Sequence, residues 1–216
     1  TWREEGEGAR ERGLAGALIA EAAGEIDRAK AEYDRLRSLD LADEATSRAA
    51  ASHADDDGAA RILAEHAQAR EAGTSAAILL TEAAVREAQT GDESESDILL
   101  RRAVEVDAAL PFARAIGERA ARARDDQSAL LEWIRARREA ADDPLEQAYD
   151  LVREALLLAA DEPAAAAPLL EQALKARPSD IGLRELFERL SPEPPPDRAA
   201  WRAERAAETT PAEAAR

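Results

Sequence analysis

One block of sequence occurs twice in this chain, 68 positions apart. Trp133 is followed by Ile-Arg-Ala-Arg-Arg-Glu-Ala-Ala-Asp-Asp-Pro144, and Trp201 by Arg-Ala-Glu-Arg-Ala-Ala-Glu-Thr-Thr-Pro211. The chain also begins at this phase, with Trp2 in second position. A fixed period constrains the fold strongly, because a repeated unit cannot bury its apolar face alone and must stack on its neighbours. The sequence therefore predicts a tandem array.

The repeated units are rich in helix formers. Alanine makes up about a quarter of the 216 residues, while aromatic residues contribute 3% and Val, Ile and Thr are sparse. Alanine favours helix, and the residues that favour strands are the scarce ones. We therefore expect an all-α protein. Because alanine also supplies over half of the 45% apolar fraction, we expect a thin core in which helices approach closely.

Four helices are predicted in each copy of the repeat, and each starts at a capping signal. In the clearest copy the signals are Asp126, Asp143-Pro144, Asp161-Glu162-Pro163, and Ser179 or Asp180. In the preceding copy Thr74 or Ser75 takes the place of the aspartate that caps the second helix.

The copies align at a nearly constant offset. Ile62-Leu63 matches Leu130-Leu131 at an offset of 68, and Leu99-Leu100 matches Leu169-Leu170 at an offset of 70. We predict a single array over residues 1–216, divided into about three four-helix copies. The predicted copies are 1–61, 62–129 and 130–200, with 201–216 as the start of a further one. Because the chain starts and stops at the same phase, we expect it to be part of a longer protein.

Each copy splits into two helix pairs of about 33 to 37 residues, with motifs such as Ala166-x-x-x-Leu170-x-x-Ala173-x-x-x-x-Pro178 and Gly24-Glu-Ile26-x-x-Ala29-x-x-x-Tyr33. In these motifs the chain resembles the tetratricopeptide repeat (TPR) family, in a diverged bacterial form that lacks the Trp-x-x-Leu-Gly-x-x-Tyr signature. The resemblance implies an α-solenoid, a right-handed superhelix of antiparallel helix pairs, with a concave groove that binds peptides or protein surfaces. A related solenoid of helix pairs is the alternative.

The charge of the chain limits its partners. A net charge of -17 and a pI of about 4.6 disfavour nucleic acid and anionic membrane surfaces. We therefore expect a protein or peptide partner. No apolar run approaches the roughly 20 residues of a membrane span, and no signal peptide is visible. The absence of cysteine leaves the compartment open, and we favour the cytoplasm.

Acidic loops are the first candidates for a metal site. Asp55-Asp56-Asp57-Gly58 looks like part of a calcium loop, but the EF-hand pattern then places Ala64 where a bidentate glutamate is needed. We therefore interpret this run, and the acidic segment 92–97, as helix caps. No cofactor and no metal site is predicted.

The two histidines, His53 and His66, are the candidates for catalysis. Neither has metal-ligand spacing, and neither stands in a recognisable nucleophile motif. We expect His66 to pack between helices. No catalytic residue is predicted, and the chain is interpreted as a non-enzyme.

Three tryptophans and two arginines are the candidates for binding. Trp2, Trp133 and Trp201 recur at one phase of the repeat, which favours filling of a gap between helices over contact with a partner. Arg86 and Arg153 each lie on the second helix of a copy and face either a groove or the outer surface.

The sequence thus predicts a non-catalytic scaffold for protein–protein interaction, as a module of a larger protein. One alternative is a structural spacer or self-assembly element. Another is the regulatory arm of a larger enzyme or signalling protein.

Overall fold

The structure, a computed structural model, describes residues 2–39, 43–191, 197–200 and 202–203, with side chains from Gly8 onward. All the regular structure in these residues is helical, which confirms the all-α class. The helices are α1 (Trp2–Ala22), α2 (Ile26–Ser38), α3 (Glu44–Ser52), α4 (Asp56–Gln68), α5 (Thr74–Thr90), α6 (Glu93–Val106), α7 (Pro111–Ala123), α8 (Gln127–Ala140), α9 (Pro144–Leu158), α10 (Pro163–Ala176) and α11 (Ile181–Leu190).

The chain forms two compact units, Thr1–Gly117 and Glu118–Arg216, and the division falls within α7. In the first unit, each of α1 to α5 packs on the helix that follows it. In the second unit, α8 packs on α9, α9 on α10 and α10 on α11. Because only a few residues join the helices of each pair, packed neighbours must run antiparallel. The predicted antiparallel helix pairs are therefore present in each unit, and the right-handed superhelical path of a solenoid stays a prediction.

Aspartate side chains begin most of these helices, as expected from the sequence. Each accepts a hydrogen bond from a backbone N–H in the first turn, which satisfies one of the donors that a helix start leaves open. The capping residues are Asp43, Asp55, Asp92, Asp126, Asp143 and Asp180. Both acidic loops considered for metal binding therefore act as caps.

The predicted cap of α5 is wrong. The N-cap is Gly73, which makes no side-chain hydrogen bond, and α5 begins at Thr74. The hydroxyl of Thr74 donates to Asp107, and that of Ser75 donates to Glu44 of α3. These hydroxyls are therefore used between segments and not to cap their own helix.

The core consists of small side chains in close contact. In the first unit, Gly13 of α1 meets Leu36 of α2, and a Cβ on Gly13 would lie 2.6 Å from Leu36 Cδ2. Only glycine permits this approach. The core cluster of the second unit contains Ala148, Leu151, Ala155, Leu158, Ala166, Leu170, Ala173 and Leu183.

Helix positions recur along the chain. Helices α4 to α7 begin at 56, 74, 93 and 111, and α8 to α11 begin at 127, 144, 163 and 181, so the interval is 70 or 71 residues. The capping residues Asp55 and Asp126 set an offset of 71 for α4 and α8, which pairs Ile62 with Trp133. The sequence alignment at 68 is therefore displaced by three residues, about one helical turn. Such a slip keeps the apolar face unchanged, so periodicity alone cannot detect it.

Trp133 is a core residue. Its side chain is only 2% exposed, and its counterpart Ile62, which replaces the predicted Glu65 or His66, is buried too. Its helix packs on α9, as the repeat requires. The packing interpretation is therefore confirmed for Trp133, whereas Trp201 and the side chain of Trp2 lie outside the described residues.

Replacing Trp133 by alanine should lower the free energy of unfolding by about 3–5 kcal/mol, because it opens a cavity between α8 and its neighbours. Urea unfolding followed by circular dichroism measures the change. Ile98→Ala, at an exposed position of α6, is the matched control and should cost less than about 1 kcal/mol. Equal losses for the two variants would contradict the assignment of Trp133 to the core.

Candidate protein-binding surfaces

An apolar groove of about 610 Å³ lies in the first unit. Its walls come from α3, α4, α5 and the start of α7 with the residue before it, and we call it the α5 groove. Leu63, Ile78, Val85, Leu110, Phe112 and Ile116 supply its apolar lining. Phe112 is 61% exposed and Val85 38% exposed. A concave, mostly apolar surface with exposed aromatic area is typical of a binding site.

Charged side chains line one side of the α5 groove. Arg48 of α3 donates to both carboxylate oxygens of Glu82 on α5. This hydrogen bond to Glu82 is the main cause that raises the pKa of Arg48 above its usual range. Arg86 Nη1 lies 2.8 Å from Asp56 Oδ1. From the sequence, Arg86 could face either a groove or the outer surface. The structure places it in the groove.

The second unit differs from the first at two buried positions. The buried residues of α9 stand 71 positions after those of α5, so Asp150 corresponds to Leu79 and Glu154 to Ala83. All four side chains are at most 3% exposed. Two acids in α9 therefore occupy core positions that hold apolar residues in α5. A buried carboxylate is stable only when it is paired and hydrogen-bonded.

Four arginines pair with these acids and with Glu118 of α7. Arg137 of α8 donates from Nε to Asp150 Oδ2 at 2.8 Å, and its Nη1 lies 3.2 Å from Glu118 Oε1. Arg153 donates from Nη2 to Glu118 Oε2 at 2.6 Å. Glu154 accepts from Arg135 Nε at 2.6 Å and from Arg138. The hydrogen bond to Asp150 is the main cause that raises the pKa of Arg137.

The network fixes how α8 and α9 fit together. Removing one member of a buried ion pair leaves an uncompensated charge, which costs far more than the net stability the intact pair supplies. The network therefore specifies one pairing of helices more than it adds stability. Arg153 is the second arginine for which the sequence allowed either a groove or the outer surface, and it belongs to this network.

His53 packs against α1 and α2. Its ring stacks on Tyr33 with centroids 6.0 Å apart, and its Nε2 bonds to the carboxylate of Glu21. Burial, followed by the nearby Glu21 carboxylate, raises the pKa of Tyr33 to about 12. These contacts describe a structural cluster.

His66 packs between helices, as predicted. It also contacts Ser47, and the sequence analysis did not predict this contact. Arg70 donates to His66 Nε2 at 3.0 Å, and the Ser47 hydroxyl lies 3.1 Å from Nδ1. Because arginine only donates, Nε2 accepts and Nδ1 carries the proton. In this arrangement the imidazole donates to Ser47. Burial, followed by the charge of Arg70, lowers the pKa of His66.

The described part of the chain offers neither a metal-binding cluster nor a membrane-spanning helix. It contains no group of three His, Asp or Glu side chains placed to hold a metal ion. Among the helices described there, none combines the length and the apolar character needed to cross a membrane.

No protein-family model and no curated protein matches the chain. The chain is similar to the MamA protein, with 10% identity and a TM-score of 0.46 over 81% of this chain and 94% of that one. It is also similar to TTC0263, a thermophilic TPR protein in Thermus thermophilus, with 15% identity and a TM-score of 0.36 over 84% and 98% of the chains.

Breaking the Arg137–Asp150 pair should be costly. Arg137→Ala should lower the free energy of unfolding by about 3 kcal/mol, because it removes the main partner of the buried Asp150 carboxylate. The double variant with Asp150→Ala should lose less than the sum of the two single losses, because it also removes the carboxylate that Arg137→Ala leaves unpaired. Urea unfolding of the four proteins of the cycle gives the coupling energy. The exposed pair Arg28–Glu25, with nitrogen and oxygen 2.8 Å apart, is the control and should couple by less than about 1 kcal/mol. Additive losses at Arg137 and Asp150 would contradict the network.

Glu87 at the end of α5 should make stability depend on pH. Burial, followed by the charges of Asp57, Asp92 and Glu95, raises its pKa above the ordinary 4.5. The folded state therefore binds this proton more tightly than the unfolded state, and the ionised form costs stability at neutral pH. Glu87→Gln should raise the free energy of unfolding at pH 7, and the gain should disappear as the pH falls through the raised pKa to about 4.5.

Glu44→Gln is the control, because the pKa of Glu44 is lowered whereas that of Glu87 is raised. The Ser75 hydroxyl, followed by Arg48 and Arg70, lowers the pKa of Glu44. Its contribution is therefore present above about pH 4.5 and is lost as the pH falls through the lowered pKa. Thermal unfolding between about pH 3 and 8 compares both variants with the parent. Loss of stability at neutral pH in Glu87→Gln would contradict the sign assigned to Glu87.

Proposed function

We propose that this chain is a non-catalytic scaffold that binds a segment of another protein in the α5 groove. The observation that carries the proposal is the combination of an apolar lining with the exposed side chains of Phe112 and Val85. Large apolar side chains left in a concave surface lose little entropy on binding and gain from removal of water.

We also propose that the chain is a repeated array. Helix starts that recur at intervals of 70 or 71 residues support this part of the proposal. The four-helix copies are the modules of one array, and they begin with α4 at 56 and α8 at 127, not at 62 and 130 as the sequence alignment predicted. The array is a module of a larger protein. Its net charge of -17 favours a protein or peptide partner over nucleic acid.

Peptide selection tests the groove. A random library of peptides about 12 residues long is selected against the full 216-residue chain, and the enriched peptides are titrated by fluorescence anisotropy. Phe112→Ser and Val85→Ser should each weaken binding about tenfold or more, because each removes apolar contact at the centre of the groove. Ile98→Ser, at an exposed position of α6, is the control and should leave the affinity unchanged.

Selected peptides that bind both groove variants as tightly as the parent would contradict the proposal. Concentration-dependent oligomers in light scattering, broken by Phe112→Ser, would instead support the alternative of a self-assembly element.

A further inference from the structure

Glu87 of the first unit is a buried acid, and no basic side chain in the described part of the chain pairs with it. It lies in the last turn of α5 and is only 9% exposed. The Thr90 hydroxyl donates its single proton to the backbone carbonyl of Glu87, at 2.8 Å. Burial of a carboxylate without a cation is costly, and burial is the main cause that raises the pKa of Glu87.

Three helix ends meet at Glu87. Because α4 and α6 both pack on α5 and run antiparallel to it, their first turns lie beside its last turn. These turns carry Asp57 of α4, Asp92, which caps α6, and Glu95 of α6. After burial, the charges of these three acids are the next causes that raise the pKa of Glu87. The charges that act most strongly on Glu87 are therefore all negative, and they attract a cation to this place. We call these four acids the α5 acid site.

Local rules explain the three surrounding acids but not Glu87. Free N–H groups and the macrodipole favour acids in the first turn of a helix, and Asp92 accepts from the N–H of Glu95 at 2.9 Å. Glu87 stands at the opposite, negative end of α5, where the same dipole disfavours it. In the second unit the corresponding position holds the buried Leu158. The fold thus accepts an apolar residue here, and a costly departure from a local rule is typical of a functional site.

We propose that the α5 acid site binds a basic segment of a partner protein. One lysine or arginine side chain of that segment reaches the Glu87 carboxylate, and the surrounding acids attract the cations beside it. The long apolar stem of such a side chain suits an almost fully buried carboxylate, because only its charged end needs polar contacts. A metal ion suits the site less, since the described acids form no group placed to hold one. The site shares no residue with the lining of the α5 groove, so it does not depend on the function proposed for that groove.

Two labelled peptides test the proposal on the full 216-residue chain. One contains four lysines separated by single glycines. The other is the same peptide with every lysine acetylated, which keeps the apolar stems and removes the charge. Fluorescence anisotropy at about 0.15 M salt should show binding of the lysine peptide that is about tenfold tighter or more than binding of the acetylated peptide.

Variants locate the binding site. Glu87→Gln should weaken binding of the lysine peptide about tenfold, because it removes the buried charge and keeps the size of the side chain. The matched control is Glu162→Gln, at an exposed acid before α10 that makes no capping hydrogen bond, and it should leave the affinity nearly unchanged. Both variants lose one negative charge, so the general attraction of an acidic chain for a basic peptide is equal in the two. Phe112→Ser should leave binding intact, which separates this site from the α5 groove.

Stability separates a binding role of Glu87 from a structural one. Because Glu87→Gln removes an unpaired buried charge, the variant should be more stable than the parent at pH 7 and yet bind the peptide more weakly. A residue that only supports the fold would not give a gain of stability together with a loss of binding.

The pH dependence of binding gives a second readout. In the parent, affinity for the lysine peptide should fall as the pH falls through the raised pKa of Glu87, because the protonated carboxyl no longer attracts a cation. Asp57 from α4, Asp92 and Glu95 from α6, and the Arg86–Asp56 pair are the other charges near this end of α5. They remain in Glu87→Gln, so that variant shows the pH dependence that they supply alone.

Four outcomes would overturn the proposal. The first is equal affinity for the two peptides, and the second is binding that Glu87→Gln leaves unchanged. The third is an equal loss in Glu87→Gln and Glu162→Gln, which would show only a general attraction to an acidic chain. The fourth is calorimetric binding of calcium ions alone that Glu87→Gln abolishes, since the site would then hold a metal ion.

Discussion

The fold depends on close approach between helices with small side chains. Gly13 admits Leu36 against the backbone of α1, and alanines such as Ala60, Ala84 and Ala155 are almost completely buried. A helix of this kind removes little apolar area from water, so it gains stability only when both flanking helices are in place. Helix–helix contact is therefore both the core of each unit and the reason for a repeated sequence.

Small apolar faces stabilise many pairings about equally well, so the contacts that select one pairing must come from elsewhere. At corresponding positions α5 has Leu79 and Ala83, while α9 has Asp150 and Glu154. An α9 placed on the partner of α5 would bury two carboxylates without their arginines, and such a penalty excludes the exchange. The buried charges thus distinguish helices that a repeated sequence would otherwise make interchangeable.

The sequence predicted the helical class, the capping aspartates and the burial of Trp133, because each depends on local signals or on periodicity. The sequence alignment misplaced the register of α4 against α8 by one turn. A shift of one turn leaves the apolar spacing unchanged, so only the capping residues Asp55 and Asp126 reveal the correct register. The sequence analysis missed the contact between Ser47 and His66, which are 19 positions apart. The replacement of Leu79 and Ala83 by Asp150 and Glu154 was a usable signal for the network, but it shows only when the copies are aligned in the correct register.

The corresponding exposed faces of α5 and α9 have diverged between the copies. Ile78, Thr81 and Val85 of α5 correspond to Tyr149, Val152 and Leu156 of α9 at the offset set by burial. In the first unit Phe112 and Ile116 of α7 join this face to form a groove. In the second unit Arg137 and Arg153, which pair with buried acids, lie beside Tyr149. Divergence at the buried positions therefore changes both the pairing of the helices and the side chains that stand beside the exposed face.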